Sequence, residues 1–236
     1  MISIQGLQKK FGPLTVLDDI TLEIPSGQAT GIVGPNGSGK TTTIKTLLGL
    51  VRQDAGNILI DGQSVAGRWD YRQKIGYMPQ IARYPENMTV SELFAFIKEV
   101  RDVEQTNEEV LINHFGLAPE LNKRMRTLSG GTRQKVGAVL ALMFDPEILI
   151  FDEPTAGLDP HSSVQFKKLL HREKQKGKTV LLTSHIMSEI EELADYLIFL
   201  VEGKIRYHGP MKELIEKQQE QRLEGAVAKM MEETAA

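Results

Sequence analysis

Lys40 ends a glycine-rich run, GPNGSGK, and Thr41 follows it. Residues Gly34, Pro35, Asn36, Gly37, Ser38, Gly39, Lys40 and Thr41 fit the spacing G-x-x-x-x-G-K-[ST] in full. Glycines so placed let backbone N–H groups curl around phosphate oxygens. The lysine reaches β- and γ-phosphates, and the neighbouring hydroxyl ligates Mg²⁺. This is the chemistry of nucleoside triphosphate binding, with Thr42 next in the loop. The alternative is an ordinary glycine-rich strand–helix turn, which has no need of the full spacing.

The apolar run EILIF ends in two acids, Asp152 and Glu153. Adjacent strand residues point to opposite faces, but at a strand's end the chain can turn and serve both. An apolar strand carries its last acids into a partly desolvated site, where carboxylates need partners. Mg²⁺ and water are such partners: Asp152 would hold the ion and Glu153 would polarise an attacking water. Taken alone, the pair also fits a helix N-terminus, where the dipole favours acids. A third stretch, TLSGGTRQKV at 127–136, sets a serine and two glycines before a basic, then apolar, helical pattern. It is a second helix start suited to an anion, with no lysine of the phosphate-loop kind.

These residues need a strand before each loop and a helix after it. ATGIVGP, KIGYMPQ, EILIFDEP and TVLLTSH read as strands, as do TVLDDITLEI and NILIDGQSV. A helix is expected from Lys40, with Ile44, Leu47, Leu48 and Val51 on one face. SSVQFKKLLHREKQKG reads as another helix, and strands alternating with helices imply a mostly parallel sheet. Between Ile81 and Arg126 the texture is helical. Val90, Leu93, Phe94, Ile97 and Val100 share a face there, and Thr89/Glu92 and Thr106/Glu109 have capping-box spacing. Val136, Val139, Leu140, Met143 and Phe144 form a further stripe. YLIFLVEGKIRYHG reads as a hairpin turning at Glu202-Gly203. The tail from Met211 is helix-prone, with Leu223, Val227, Met230 and Met231 spaced to share a face. Its charged stretch KELIEKQQEQRLEG reads as a solvated face.

The chain has 236 residues, expected to form one domain over 1–236, and a formal charge of −3 gives no electrostatic case for nucleic acid. It has no cysteine, which removes disulfides, thiolate metal sites and a cysteine nucleophile. MISIQGLQKKFG lacks the apolar core of a signal peptide. VLALMF and YLIFLVEG are far shorter than the roughly 20 residues that span a bilayer. A membrane role would therefore need another chain.

With these motifs in this order, the sequence resembles the ATP-binding cassette (ABC) ATPases over roughly residues 2 to 210. LSGGTRQKV is similar to that family's signature stretch, and YMPQ, ending in Gln80, to its Q-loop. AGLDP with Asp159 resembles its D-loop, and TSH with His185 its switch histidine. Phe11 stands where the family places an aromatic against adenine. The resemblance implies an α/β P-loop NTPase: a RecA-like, mostly parallel sheet core with an N-terminal antiparallel β subdomain. It also implies an inserted α-helical subdomain, approximately 81–136, and a helical C-terminal tail over 211–236. ATP and Mg²⁺ are the implied cofactors. Glu153 becomes the general base, His185 a γ-phosphate contact, Gln80 a sensor of Mg²⁺ and water, and Lys40 a catalytic cation. Thr41, Gln80 and Asp152 would hold the metal, and Phe11 and Val16 the base. Ser129, Gly130, Gly131 and Asp159 would act in trans on the ATP of a second copy. Standing alone, a glutamine at a strand end is usually solvated, a histidine at a strand–helix junction usually structural, and an aromatic usually core. Thr132 is a variation of the signature, expected to alter the flank and not nucleotide binding.

The sequence carries one cassette, without long coiled coils or zinc cysteines, and so resembles the separate ATPase subunit of a bacterial transporter. That implies a homodimer on the cytoplasmic face of the inner membrane, held there by an integral membrane permease. Tyr84 and Phe94 are candidates for the groove that meets this permease, the alternative being plain core of the helical subdomain. KKFGPLTVLDDI and LSGGTRQKV resemble export-type cassettes. IGYMPQIARYPENMTV together with GGTRQKV resembles ATPase subunits of the copper-processing (Nos) transporters linked to nitrous oxide reductase maturation. A nucleotide-switched regulatory module without transport would use the same motifs. A P-loop kinase would not need the signature or D-loop.

Overall fold

The runs ATGIV, ILIFD and TVLLT are buried at every position. Strands covered on both faces lose the polar alternation of half-exposed ones. The computed structural model describes residues 1–235. Its strands are β1 (Ile2–Phe11), β2 (Leu14–Ile24), β3 (Ala29–Val33), β4 (Ala55–Ile60), β5 (Gln63–Ser64), β6 (Ile75–Met78), β7 (Ile148–Asp152), β8 (Thr179–Thr183), β9 (Tyr196–Val201) and β10 (Lys204–Pro210). Its helices are α1 (Lys40–Leu47), α2 (Val90–Arg101), α3 (Glu108–Phe115), α4 (Gly130–Leu142), α5 (Pro160–Gln175), α6 (Met187–Leu193), α7 (Met211–Lys217) and α8 (Leu223–Ala235).

The strands form two sheets. One is antiparallel, in the order β2-β1-β4-β5; the other runs β10-β9-β3-β8-β7-β6. In the second, β9, β3, β8, β7 and β6 are parallel and only β10 is antiparallel. This is the expected α/β cassette, with a mostly parallel core, an N-terminal antiparallel sheet and helical parts. The parallel sheet has a core on each face, and side chains go to each in turn. Ile148 and Ile150 join Ile2, Leu17 and Ile44 on the side of the antiparallel sheet. Leu149 and Phe151 join Phe166, Phe199 and the helices on the other. Because β3, β6, β7 and β8 are parallel, their C-terminal ends, Val33, Met78, Asp152 and Thr183, reach one edge. Ligands bind at that edge in open α/β sheets.

The hairpin β9–β10 turns at Glu202 and Gly203, both at positive φ (50° and 72°), as the sequence implied. Thr89 and Glu92 close a reciprocal capping box on α2. The second expected box, Thr106/Glu109, does not form. α3 starts at Glu108 after Asn107, whose N–H is held by the Met143 carbonyl at 2.8 Å. Thr106 Oγ1 instead accepts from Glu108 N at 3.4 Å, without the reciprocal bond from Glu109. Strand β1 went unread in the sequence. Phe94 is fully buried, a core residue and not a groove residue. Val100 and Met231 are exposed, off the faces their spacing implied. The tail is also more than a solvated face: Leu223, Ala226, Val227 and Met230 are buried in the larger core, and α8 packs on α6 and α7.

Candidate active site

The loop between β3 and α1 is shaped by glycines. Gly34 has φ 152°, and a Cβ there would lie 2.0 Å from the Leu200 carbonyl oxygen. Gly39 has φ 109°, and a Cβ there would lie 2.9 Å from the Val16 carbonyl oxygen. Side chains are thus excluded by both backbone and neighbours. Lys40 Nζ donates to the carbonyls of Gly34 (2.8 Å) and Pro35 (3.0 Å), so its charge sits over the loop. Burial pushes the Lys40 ammonium below its ordinary pKa, and Glu153 and Asp152 oppose that shift. Ser38 Oγ is buried without a hydrogen-bond partner.

Asp152 ends β7 with a buried carboxylate. Its Oδ1 accepts from Thr183 Oγ1 at 2.6 Å and its Oδ2 from Thr41 Oγ1 at 3.2 Å. Glu153 then takes φ 52°, the left-handed region. For a non-glycine residue this costs about 1–2 kcal/mol. It is offset locally by the Glu153 N–H, which donates to the carbonyl (3.2 Å) and the hydroxyl (3.0 Å) of Thr183. The reversal lets two adjacent acids serve one site. Glu153 Oε2 accepts from Gln80 Nε2 at 3.2 Å and lies 3.0 Å from His185 Nδ1. Direct hydrogen bonds thus form two sets, Thr41–Asp152 and Gln80–Glu153–His185, which meet through the 152–153 peptide and Thr183.

The Thr41 hydroxyl and Asp152 Oδ2 are hard oxygen donors of the kind Mg²⁺ accepts. That ion keeps several waters and takes few protein ligands beside phosphates. No group of three or more His, Cys, Asp or Glu among the described residues could hold a metal unaided, and a donor-poor Mg²⁺ site needs none. The residues present fit the ion.

Other expected residues lie apart. Ser129 caps α4, its Oγ accepting from Thr132 N at 3.2 Å and lying 2.8 Å from Thr132 Oγ1. Thr132 thus meets the signature serine directly, where the sequence implied only a flanking change. A Cβ on Gly131 would lie 3.1 Å from the Gly157 carbonyl oxygen, so α4 starts against the segment after Glu153. Asp159 caps α5, accepting from Ser162 N at 3.0 Å and from the Ser162 hydroxyl. Those bonds hold its carboxyl down at about 2. Ser129, Gly130, Gly131 and Asp159 make no hydrogen bond to the phosphate loop among the described residues. Phe11 is half-exposed at the β1–β2 turn, with Lys9 Nζ 5.2 Å from its ring centroid. Val16 lies next to Gly39.

Two site residues escaped sequence reasoning. Thr183 binds both acids, and its only signal was its place in TSH. Gln134 Nε2 donates to the carbonyls of Gln80 (3.4 Å) and Ala156 (3.2 Å), joining α4 to the Gln80 loop.

Comparison with known proteins shows the family and the fold. Residues 17–156 match the model of the family described as ABC transporter. The lantibiotic transport ATP-binding protein SrtF of Streptococcus pyogenes is 35% identical over 205 residues, covering 87% of this chain and 89% of its own. The Nod factor export ATP-binding protein I of Ralstonia nicotianae is 35% identical over 234 residues, covering 91% and 68%. A solved ATP binding subunit of an ABC transporter superposes with a TM-score of 0.91 at 27% identity, over 98% and 99%. A dimeric cassette solved with ADP and phosphate shares the fold, at TM-score 0.80 and 24% identity over 89% and 98%. With its phosphate loop, its buried aspartate and its glutamate–glutamine–histidine cluster, the chain belongs to the ABC transporter family and is an ATP-hydrolysing subunit of it.

Proposed function

We propose that two copies of this chain close around two ATP molecules and drive export through a separate integral membrane permease. One observation carries the hydrolytic part: Glu153 Oε2 is held between Gln80 Nε2 and His185 Nδ1, at 3.2 and 3.0 Å. A carboxylate so oriented is placed to take a proton from an attacking water. On this reading Glu153 is the general base, His185 contacts the γ-phosphate and Gln80 positions the water. Lys40 neutralises charge developing on the phosphates. Gly34 to Thr42 bind the triphosphate, and Phe11 and Val16 hold the base. Thr41, Asp152 and Gln80 would hold Mg²⁺, which supplies charge neutralisation at phosphate oxygens when bound.

Ser129, Gly130 and Gly131, at the start of α4, would meet the γ-phosphate on the partner copy, with Asp159 beside them. The dimeric cassette described above supports association of two copies, and the name of the Nod factor relative supports the direction. The helical part at 81–136 would act as an inserted body facing the permease. Its groove of about 400 Å³ is lined by Ile81, Arg83, Tyr84, Glu86, Met125 and Arg133. The chain would then work at the cytoplasmic face of the inner membrane through that permease. No helix among the described residues is long and apolar enough to cross a membrane itself. Glu153→Gln tests the reading: with ATP it is expected to trap a dimer on size exclusion. Hydrolysis should fall about a hundredfold or more; hydrolysis at the wild-type rate would overturn the role of Glu153.

The finer reading is copper processing for nitrous oxide reductase, carried by the resemblance of IGYMPQIARYPENMTV and GGTRQKV. In such a system substrate choice belongs to the membrane subunit and its partners. Deleting the gene should leave nitrous oxide reductase short of copper. A deletion strain with fully loaded enzyme would exclude this substrate and leave the ATPase reading standing.

A further inference from the structure

We infer that Glu189 is a positioning residue that locks together the two backbone segments bearing Glu153 and His185. Glu189 lies in the first turn of α6. Its Oε2 accepts from Thr155 Oγ1 at 2.7 Å and from Ser184 Oγ at 3.0 Å. Thr155 and Ser184 are buried. Thr155 stands two residues after Glu153, and Ser184 immediately before His185. The Ser184 hydroxyl in turn accepts from Ile186 N at 3.0 Å. His185 is thus flanked on both sides by residues tied, directly or through one hydroxyl, to a single carboxylate oxygen. The same oxygen holds the chain leaving Glu153. Behind the pair, Thr183 anchors Glu153 N.

The arrangement is a closed circuit. The Glu153–His185 contact lies on one side and the Thr155–Glu189–Ser184 clamp on the other. A carboxylate accepting two hydroxyl bonds is a stronger anchor than a neutral acceptor. Its removal strands two buried hydroxyls and frees the turn that aims the imidazole. Glu189 touches neither reacting group, so its loss acts on the geometry of the pair and not on nucleotide binding.

The inference rests on the reading of Glu153 and His185 as the hydrolytic pair, and its test separates the two. Glu189→Ala, Glu189→Gln and Glu153→Gln are compared in the full chain. Glu189→Ala is expected to lower kcat about tenfold to a hundredfold, as a misplaced catalytic group does. The ATP KM and the affinity for ADP should stay within about threefold, since the phosphate loop is untouched. Glu189→Gln keeps an acceptor oxygen and should restore kcat to within about threefold of wild type. In nucleotide-free protein the ring ¹⁵N signals of His185 should move in Glu189→Ala and return in Glu189→Gln. A kcat within twofold of wild type in Glu189→Ala, or a glutamine variant as impaired as the alanine one, would overturn the clamp while an inactive Glu153→Gln left the site reading intact. Normal hydrolysis by Glu153→Gln would overturn both.

Discussion

At the residue scale, adjacency is the problem that Asp152 and Glu153 solve. Two neighbours in an extended strand cannot face one ligand. The left-handed φ of Glu153 turns its side chain towards Gln80 and His185, while Asp152 stays buried beside Thr41. Thr183 makes this stable, giving one hydrogen bond to Asp152 and accepting one from Glu153 N. Thr183→Val keeps the shape and removes both bonds. Its hydrolysis rate should fall about tenfold to a hundredfold, as for residues that orient a reacting group's ligands. Thr183→Ser should stay near wild type. A valine variant with a wild-type rate would show that the turn alone fixes the two acids.

At the element scale, helix starts are set by different means. α2 uses its own capping box, α4 begins at Ser129, and α5 at Asp159. The Asp159 carboxyl titrates at about 2, below the ordinary 3.8, because the Ser162 hydroxyl and N–H favour its charged form. A depressed carboxylate stabilises the fold at pH values above its unfolded pKa. That contribution fades as pH falls from about 4 towards 2. Asp159→Ala should therefore lower the urea midpoint at neutral pH. The gap to wild type should narrow as the pH approaches 2. A gap independent of pH would mean that lost packing, not the charged cap, causes the loss. α3 shows the limit of local signals. Thr106 and Glu109 have the right spacing, but Thr106 Oγ1 takes only the Glu108 N–H, no reciprocal bond forms, and the helix begins after Asn107.

At the scale of the whole molecule, the parallel sheet divides two cores and delivers four strand ends to one edge. The larger core includes the C-terminal helix, where Leu223 has no exposure and its N–H is bonded to Glu191 on α6 at 3.3 Å. Leu223→Ala should lower unfolding free energy by about 2–4 kcal/mol, as for large-to-small changes at buried sites. ATP hydrolysis below the new melting temperature should be kept. A neutral result in urea unfolding would mean that α8 is detached in solution.

Much of the candidate site was legible without coordinates. The phosphate loop follows from fixed spacing, because glycine φ angles and the helix start are local properties. The acids at the end of β7, the Gln80 loop, the hairpin at Glu202-Gly203 and the α2 cap follow for the same reason: each is decided within a few residues. Tertiary structure alone decided the rest. It buried Phe94, exposed Val100, docked α8 and showed Thr132 touching Ser129. It also made Thr183, Gln134 and Glu189 partners of the site. Those residues act through bonds between segments far apart in the chain. A hydroxyl or amide there has no distinctive spacing; its role is fixed only when the sheet brings its strand end beside another.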